Sequence, residues 1–327
     1  DMIYIRNNSN DPFYNLAFEE YFFKSETIDD AILLLWQNGP SVIIGRYQNT
    51  IEEINEDFID KNNINVVRRN TGGGAVYHDY GNLNYSFIVP SEEKKIDFET
   101  FTKPVIDALK EMGIEASLAG RNDLVVEGKK FSGNAQYTYN GRLLHHGTLL
   151  FDADLSTLDK ALKMKKGKIE SKSIKSVRSK VTNLKPYFNE DVDVNQFKEK
   201  LLEHFYKAEN LKEYKVTAED RKNIETLADE KYRTWKWTYG ESPKCNVIRG
   251  SRFNSGYIEF RLQIEKGLIV DAYIYGDFFS GKSAYELLDK FKGIEYKREA
   301  IEKALKNVDL RAYLGDVSLE ELINTIC

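Results

Sequence analysis

The chain has 327 residues and a mass of 37.8 kDa, a length that suggests about two domains. Apolar residues make up 41% and charged residues 30%, a balance that excludes a largely disordered chain. Lys and Arg number 47 against 52 Asp and Glu, a net charge of −5 that argues against a dedicated nucleic-acid binder.

In chain order, Met2 to Arg6 reads as a short strand. Asp11-Pro12 then opens a helix, since Asp caps free amides and Pro is tolerated at the first helical position. Phe13, Leu16, Ala17, Tyr14, Phe18 and Phe22 give that helix a broad apolar face. Ala31 to Trp36 and Ser41 to Ile44 read as buried strands around a turn at Asn38-Gly39-Pro40. The longer of the two is far too short to span a membrane. Thr50-x-x-Glu53 has the form of a capping box ahead of Ile54, Phe58 and Ile59. Strands follow at Asn65 to Arg69 and Asn84 to Val89. A helix from Phe98 to Met112 ends at Gly113, and Pro104 inside it predicts a kink or a later start. Leu124 to Val126 and Lys130 to Ser132 form a hairpin about Glu127-Gly128-Lys129, and Arg142 to Phe151 is a further strand. Strands mixed with helices, without regular βαβ alternation, favour an α+β fold.

From Lys160 to Lys185 ten basic residues stand against one acidic residue, Glu170. This bias, with few large apolar groups, predicts an exposed mobile loop or a solvated face. Helices follow at Val194 to Tyr206 and Ala218 to Tyr232. A domain boundary is expected near Gly240 to Pro243, dividing the chain into 1–243 and 244–327. Beyond it, turns at Asn254-Ser255-Gly256 and Glu265-Lys266-Gly267 separate alternating strands, Tyr257 to Ile264 and Leu268 to Tyr275 among them. Helices at Ser283 to Phe291, Arg298 to Leu305 and Leu319 to Ile326 complete a small three-stranded α+β domain.

The opening Asp1-Met2-Ile3-Tyr4 carries no basic region before an apolar stretch, so no secretory signal is expected. Cys245 and Cys327 make neither a disulfide framework nor a CxxC motif, and His78, His145, His146 and His204 show no metal-ligand spacing. A reducing, cytoplasmic setting is the default expectation.

The stretch Arg68-Arg69-Asn70-Thr71-Gly72-Gly73-Gly74-Ala75-Val76-Tyr77-His78-Asp79 is the most informative. Three consecutive glycines suit a turn whose amides converge on an anion, and two arginines supply charge for phosphate or carboxylate oxygens. A glycine hairpin with surface arginines is equally open on these residues alone. The pattern is neither a Walker A loop nor a Rossmann fingerprint. His78-Asp79 by itself reads as a turn pair. Asn122 and Asp123 in Gly120-Arg121-Asn122-Asp123 either make local turn bonds or orient a substrate or a metal-bound phosphate. Lys130, before Phe131-Ser132-Gly133, is a solvated lysine or a cation placed where carboxylate and phosphate meet. His145-His146 on one strand face opposite ways, so joint metal binding is not expected. Ser176-Val177-Arg178-Ser179-Lys180-Val181-Thr182-Asn183 offers donors for a nucleotide or simply makes a loop.

Taken together, RRNTGGGAVYHDYGN, GRNDLVV, KFSGNAQ, HHGTLLFDADL and SVRSKVTNL resemble the lipoate–protein ligase A family in order and approximate spacing. DPFYNLAFEEY and WQNGPSVIIGRYQN extend the resemblance over nearly the whole chain, including the small second domain of the long form. The resemblance implies a mixed-sheet catalytic domain like that of biotin–protein ligases and class II aminoacyl-tRNA synthetases. It implies activation of lipoate with Mg-ATP to lipoyl-AMP, then transfer to a lysine of lipoyl domains of 2-oxoacid dehydrogenase complexes or of glycine-cleavage H protein. By the same resemblance Arg69, Gly74, Ala75, Val76 and Tyr77 would hold ATP, with Asn122, Asp123, Arg178 and Thr182 at its polar surroundings. Lys130 would be catalytic and touch both substrates; Arg68, Gly73 and His146 would contact lipoate, and Asp123 is the candidate contact for Mg2+. The competing readings are an octanoyl or lipoyl transferase of the same fold with a cysteine acyl-enzyme, and a non-catalytic lipoyl-domain binder. Neither cysteine is placed for the first, and the intact Arg69, glycine and Lys130 set argues against the second.

Overall fold

The computed structural model describes residues 1–91, 97–163, 181–240 and 245–327. Its largest element is an eight-stranded mixed sheet. In chain order the first elements are β1 (Met2–Ile5), α1 (Pro12–Phe23), β2 (Ala31–Trp36), β3 (Ser41–Ile44), α2 (Glu56–Lys61), β4 (Asn65–Arg68), β5 (Val76–His78) and β6 (Asn82–Pro90). There follow α3 (Glu99–Glu111), β7 (Ala116–Ala119), β8 (Asp123–Val126), β9 (Lys129–Tyr139), β10 (Arg142–Leu150), α4 (Leu155–Ala161), α5 (Val194–Glu209), β11 (Lys212–Tyr214) and α6 (Ala218–Leu227). The large sheet runs β11-β1-β2-β6-β10-β9-β8-β7, parallel at the β11-β1-β2 end and antiparallel elsewhere.

Helix α1 forms where its sequence predicts. Asp11 caps the amides of Phe13 and Tyr14, and Pro12 takes the first turn. Its Leu16, Ala17, Phe18 and Phe22 pack on Ile32, Leu34 and Trp36 of the sheet. On the opposite face Leu33, Leu35, Tyr85 and Phe87 meet Val105 and Leu109 of α3 and Phe197, Leu201 and Phe205 of α5. Both faces are thus covered, which accounts for β6 being buried along most of its length.

One local expectation is corrected. Thr50 does not cap the helix leading to Ile59: its hydroxyl accepts from Arg68, and Asn55 caps α2 instead. Strands β2 and β3 form as expected on either side of the Asn38-Gly39-Pro40 turn, and they belong to different sheets, with β3 between β4, parallel, and β5, antiparallel. Helix α3 runs through Pro104 from a start at Glu99, where Asp97 accepts from the first amides. The basic stretch falls largely on residues 164–180, outside the described residues, as does most of the expected boundary at 241–244.

The small domain is an antiparallel sheet of β12 (Val247–Phe253), β13 (Gly256–Glu265) and β14 (Leu268–Gly276) with α7 (Ala284–Leu288), α8 (Arg298–Leu305), α9 (Leu310–Leu314) and α10 (Leu319–Ile326). Phe260, Leu262, Ile274, Leu287, Ile301 and Leu322 form its core. Tyr47, from the turn after β3, enters that core, stacked on Phe278 with ring centroids 4.5 Å apart. Its hydroxyl pairs with Ser280 at 2.9 Å and accepts from the Ala284 amide at 2.8 Å. Thr138 also donates its amide to the Gly281 carbonyl at 3.0 Å. These bonds bring the segment after β14 onto the large sheet.

Candidate active site

Strand register builds the floor of the site. Trp36, Asn84 and Thr148 are cross-strand partners, and so are Leu34, Ser86, His146 and Ala135 two residues along. Side chains alternate along a strand, so both rows share one face, the face packed by α1. A cavity of about 170 Å³ lies over them, walled by Arg69 and Gly74 to Val76 on one side and by Asn122 and Lys130 on another.

Arg69 is buried, yet the groups it bonds are uncharged. Its Nε donates to Thr71 Oγ1 at 3.0 Å, and its Nη atoms donate to the carbonyls of Ile43 and Gly72. That spends three of its five N–H donors. Burial, then repulsion from Arg68, lowers its pKa to about 10 while Glu19 opposes the fall. The guanidinium therefore stays charged at neutral pH and is favoured by an incoming anion.

Beyond Arg69 the hydrogen bonds continue: Thr71 Oγ1 accepts from Arg69 and pairs with His146 Nε2 at 2.6 Å, and His146 Nδ1 donates to the Glu19 carboxylate at 3.0 Å. Glu19, a buried carboxylate on α1, also accepts from Ser86, which in turn accepts from Trp36 Nε1. His78 lines the cavity too. Its Nδ1 accepts from Asn38 Nδ2 at 3.0 Å, which leaves Nε2 carrying the proton, buried and without a partner among the described residues. Burial, Arg69 and His146 lower its pKa to about 3, so the ring is neutral.

Lys130, on β9, forms an ion pair with Asp123 of β8 at 2.9 Å, both side chains more than a third exposed. Asn122 is locked to Asn134: each donates its side-chain amide to the other's backbone carbonyl at 3.0 Å. Thr182 donates its amide to the Lys130 carbonyl at 2.8 Å, and Val181 bridges Lys130 in parallel. The end of SVRSKVTNL thus reaches Lys130. Arg178 lies outside the described residues.

Gly72 to Gly74 divide their tasks. Gly73 adopts φ +97°, and its amide donates to the Phe278 carbonyl of the small domain at 3.0 Å. A Cβ there would meet Phe279 Cε1 at 2.8 Å. Gly74 has open space where a Cβ would stand and lines the cavity.

Residues 11–206 match the family model "Lipoyl protein ligase A/B catalytic domain", and 242–326 match "Bacterial lipoate protein ligase C-terminus". The chain is 44% identical to lipoate-protein ligase LplJ of Bacillus subtilis, over 99% of this chain and 100% of that one. Among solved structures it is similar to P. falciparum LipL1 in complex with lipoate, with a TM-score of 0.80, 25% identity and 99% and 97% coverage. It is also similar to lipoate-protein ligase A bound with ATP, with a TM-score of 0.63, 29% identity and 73% and 98% coverage. The chain belongs to the lipoate–protein ligase family. Its activity is ATP-dependent attachment of lipoate to lipoyl domains, with ATP and lipoate as small-molecule substrates.

Of the residues that the ligase motifs single out, Arg69, Gly74, Ala75, Val76, Asn122, Lys130 and His146 meet at this cavity. Arg68 does not line it. Its guanidinium is spent on the Gly45, Arg46, Gln48, Trp237 and Thr238 carbonyls and the Thr50 hydroxyl, which clamps the turn after β3. Tyr77 points to the other side of β5, against Val42 and Ile44. Gly73 is engaged with Phe278. Sequence reasoning missed Glu19, Trp36, Asn134 and Phe279. Glu19 carried a signal, a carboxylate amid the apolar residues of α1, whereas Phe279 comes from the other domain. Cys245 and Cys327 do not line the cavity, and the described residues hold no cluster of three His, Cys, Asp or Glu side chains fit for a metal.

Proposed function

We propose that lipoate and ATP condense to lipoyl-AMP in this cavity, with Lys130 as the catalytic cation and Arg69 and the Gly74-Ala75-Val76 backbone holding the nucleotide. One observation carries the reading: two cations from separate elements, Arg69 after β4 and Lys130 on β9, line the same cavity. A carboxylate attacking a phosphate brings two anions together, and fixed positive charge offsets that repulsion. The carboxylate oxygen bonds to the α-phosphorus and pyrophosphate leaves. The neutral amine of the acceptor lysine then attacks the acyl carbon, AMP departs with its electron pair, and the surplus proton on nitrogen passes to solvent. No protein nucleophile is needed, and the chain supplies chiefly position and electrostatics.

Asn122, Asp123 and Thr182 complete the polar end in this reading, and His146 borders the lipoyl tail. Arg68 and Gly73 act on the tail indirectly, by shaping the turn and loop around it. Mg2+ enters with ATP. Asp123 is a single carboxylate beside Lys130, which suits an ion that takes one or two protein oxygens and fills its shell with water and phosphate. When bound, the ion would neutralise charge on the departing pyrophosphate. The finer assignments are the division into a catalytic unit 1–243 and an accessory unit 244–327, a cytoplasmic setting, and acceptors drawn from 2-oxoacid dehydrogenase lipoyl domains or glycine-cleavage H protein. The free cysteines fit a reducing compartment. Among the described residues no helix is long and apolar enough to cross a membrane.

Lipoate-dependent exchange of label between pyrophosphate and ATP, with Mg2+ and the full chain, tests the reading. Exchange that requires lipoate is expected; its absence in folded protein would overturn adenylate formation here.

A further inference from the structure

We infer that Phe279, carried by the small domain, is a wall of the adenylate cavity that keeps water from the activated carbonyl, and that Arg121 is the residue positioning it. The inference rests on the proposal that lipoyl-AMP forms in this cavity. Phe279 follows β14, outside the catalytic sheet, yet it is only 6% exposed and lines the cavity together with Gly74 and Ala135. Its ring meets Phe98 edge-on, with centroids 5.6 Å apart, in a satellite cluster of Phe98, Ala135 and Phe279.

Three features hold the ring there. The Arg121 guanidinium lies over it, 4.7 Å from the centroid. Arg121 also donates to the carbonyls of Asn254 and Ser255, both at 3.0 Å, on the turn between β12 and β13. The Phe278 carbonyl accepts from Gly73, the glycine whose missing side chain leaves room for the ring. Arg121 belongs to the Gly120-Arg121-Asn122-Asp123 motif, but its two terminal nitrogens bond the small domain and it does not line the cavity.

The chemistry gives such a wall a purpose. Lipoyl-AMP is a mixed anhydride, and water competes with the acceptor amine. Hydrolysis joins water oxygen to the acyl carbon, breaks the bond to AMP and returns free lipoate, with the water proton passing to solvent. One ATP is then spent without a lipoylated product. An aromatic ring offers water no hydrogen-bond partner at its edge and excludes it by bulk.

The test is carried out on full-length chain, measuring AMP released from ATP and lipoate without acceptor, alongside pyrophosphate exchange. Phe279→Ala is expected to raise the ratio of acceptor-independent AMP release to exchange by about tenfold, whatever its effect on exchange itself. Phe279→Leu, which keeps apolar bulk, should leak less than Phe279→Ala. Arg121→Ala should leak as well, with partial rescue by Arg121→Lys. If Phe279→Ala does not fold, Phe279→Gln against Phe279→Leu makes the same comparison of polar with apolar bulk. An unchanged ratio of AMP release to exchange in the Phe279 variants would overturn the inference. Loss of exchange in the wild-type chain would instead overturn adenylate formation itself.

Discussion

Glu19 and Arg69 are joined across the cavity by two intervening side chains, His146 and Thr71, in one unbroken chain of hydrogen bonds. The carboxylate lies on α1 and the guanidinium follows β4, so the chain ties the helix to the anion-binding loop. It also places the negative charge that balances Arg69 at a distance, leaving the guanidinium face open to a ligand.

Glu19→Gln should therefore disturb Arg69 without touching it. The amide presents a donor as well as an acceptor to His146, and one buried polar group loses its partner at a cost of about 1–3 kcal/mol. We expect roughly tenfold lower kcat/KM for lipoate activation, measured by pyrophosphate exchange, and a lower denaturation midpoint. Unchanged kinetics in this variant would show that the chain does not support Arg69.

Lys130→Ala should separate chemistry from folding. The Lys130–Asp123 pair is partly exposed, so its loss costs stability about 0–1 kcal/mol. Loss of the cation at the reacting phosphate should cut exchange by about a hundredfold or more. Near-wild-type exchange with a native melting curve would remove Lys130 from its assigned role.

The glycines should differ in kind. Gly73→Ala puts a side chain at φ +97° and against Phe279, so it should lower the melting temperature and loosen the small domain. Gly74→Ala meets open space in the free protein and should leave the melting temperature within a few degrees. Its effect should appear as a raised KM for ATP, because the methyl occupies ligand space. Equal stability losses in both variants would contradict this division.

Acid stability carries the mark of the buried histidines. His78 has its pKa lowered to about 3, and burial lowers that of His145 well below the ordinary value. Below about pH 6.5 the unfolded chain takes up protons that these rings refuse in the fold. Stability is therefore present above the unfolded pKa and is lost as pH falls toward the folded one. The slope approaches about 1.4 kcal/mol per pH unit for each ring. Denaturant midpoints between pH 7 and 5 check this, and His78→Gln should flatten the slope by about one proton. An unaltered slope would mean that His78 is not held neutral.

Much of this was legible in the sequence because the signals are local. Asp11-Pro12, the alternation of β13 and β14, and the turns at Asn254-Ser255-Gly256 and Glu265-Lys266-Gly267 each act within a few residues. Where reading ran out, tertiary bonds had overridden local preference. Thr50 has the form of a cap, but Arg68 takes its hydroxyl. Strand β9 continues past Gly133, where glycine argues for a stop, because β10 pairs with it as far as Tyr139. The turn joining them, Asn140-Gly141, has positive φ at both residues, a signal that was present but went unread. At the site, Arg69 and Lys130 were visible as cations beside glycines. Arg68 looked the same as Arg69, and burial on opposite sides of the turn separates them.

A crystal structure of the full chain with lipoyl-AMP locates both substrates at once. The phosphate is expected within hydrogen-bond reach, about 3 Å, of Lys130 Nζ and the loop after Gly73, with the acyl tail over the floor of Trp36, Ala135 and His146. A nucleotide seated away from Arg69 and Gly74, or a tail on the opposite face of the sheet, would contradict this expectation.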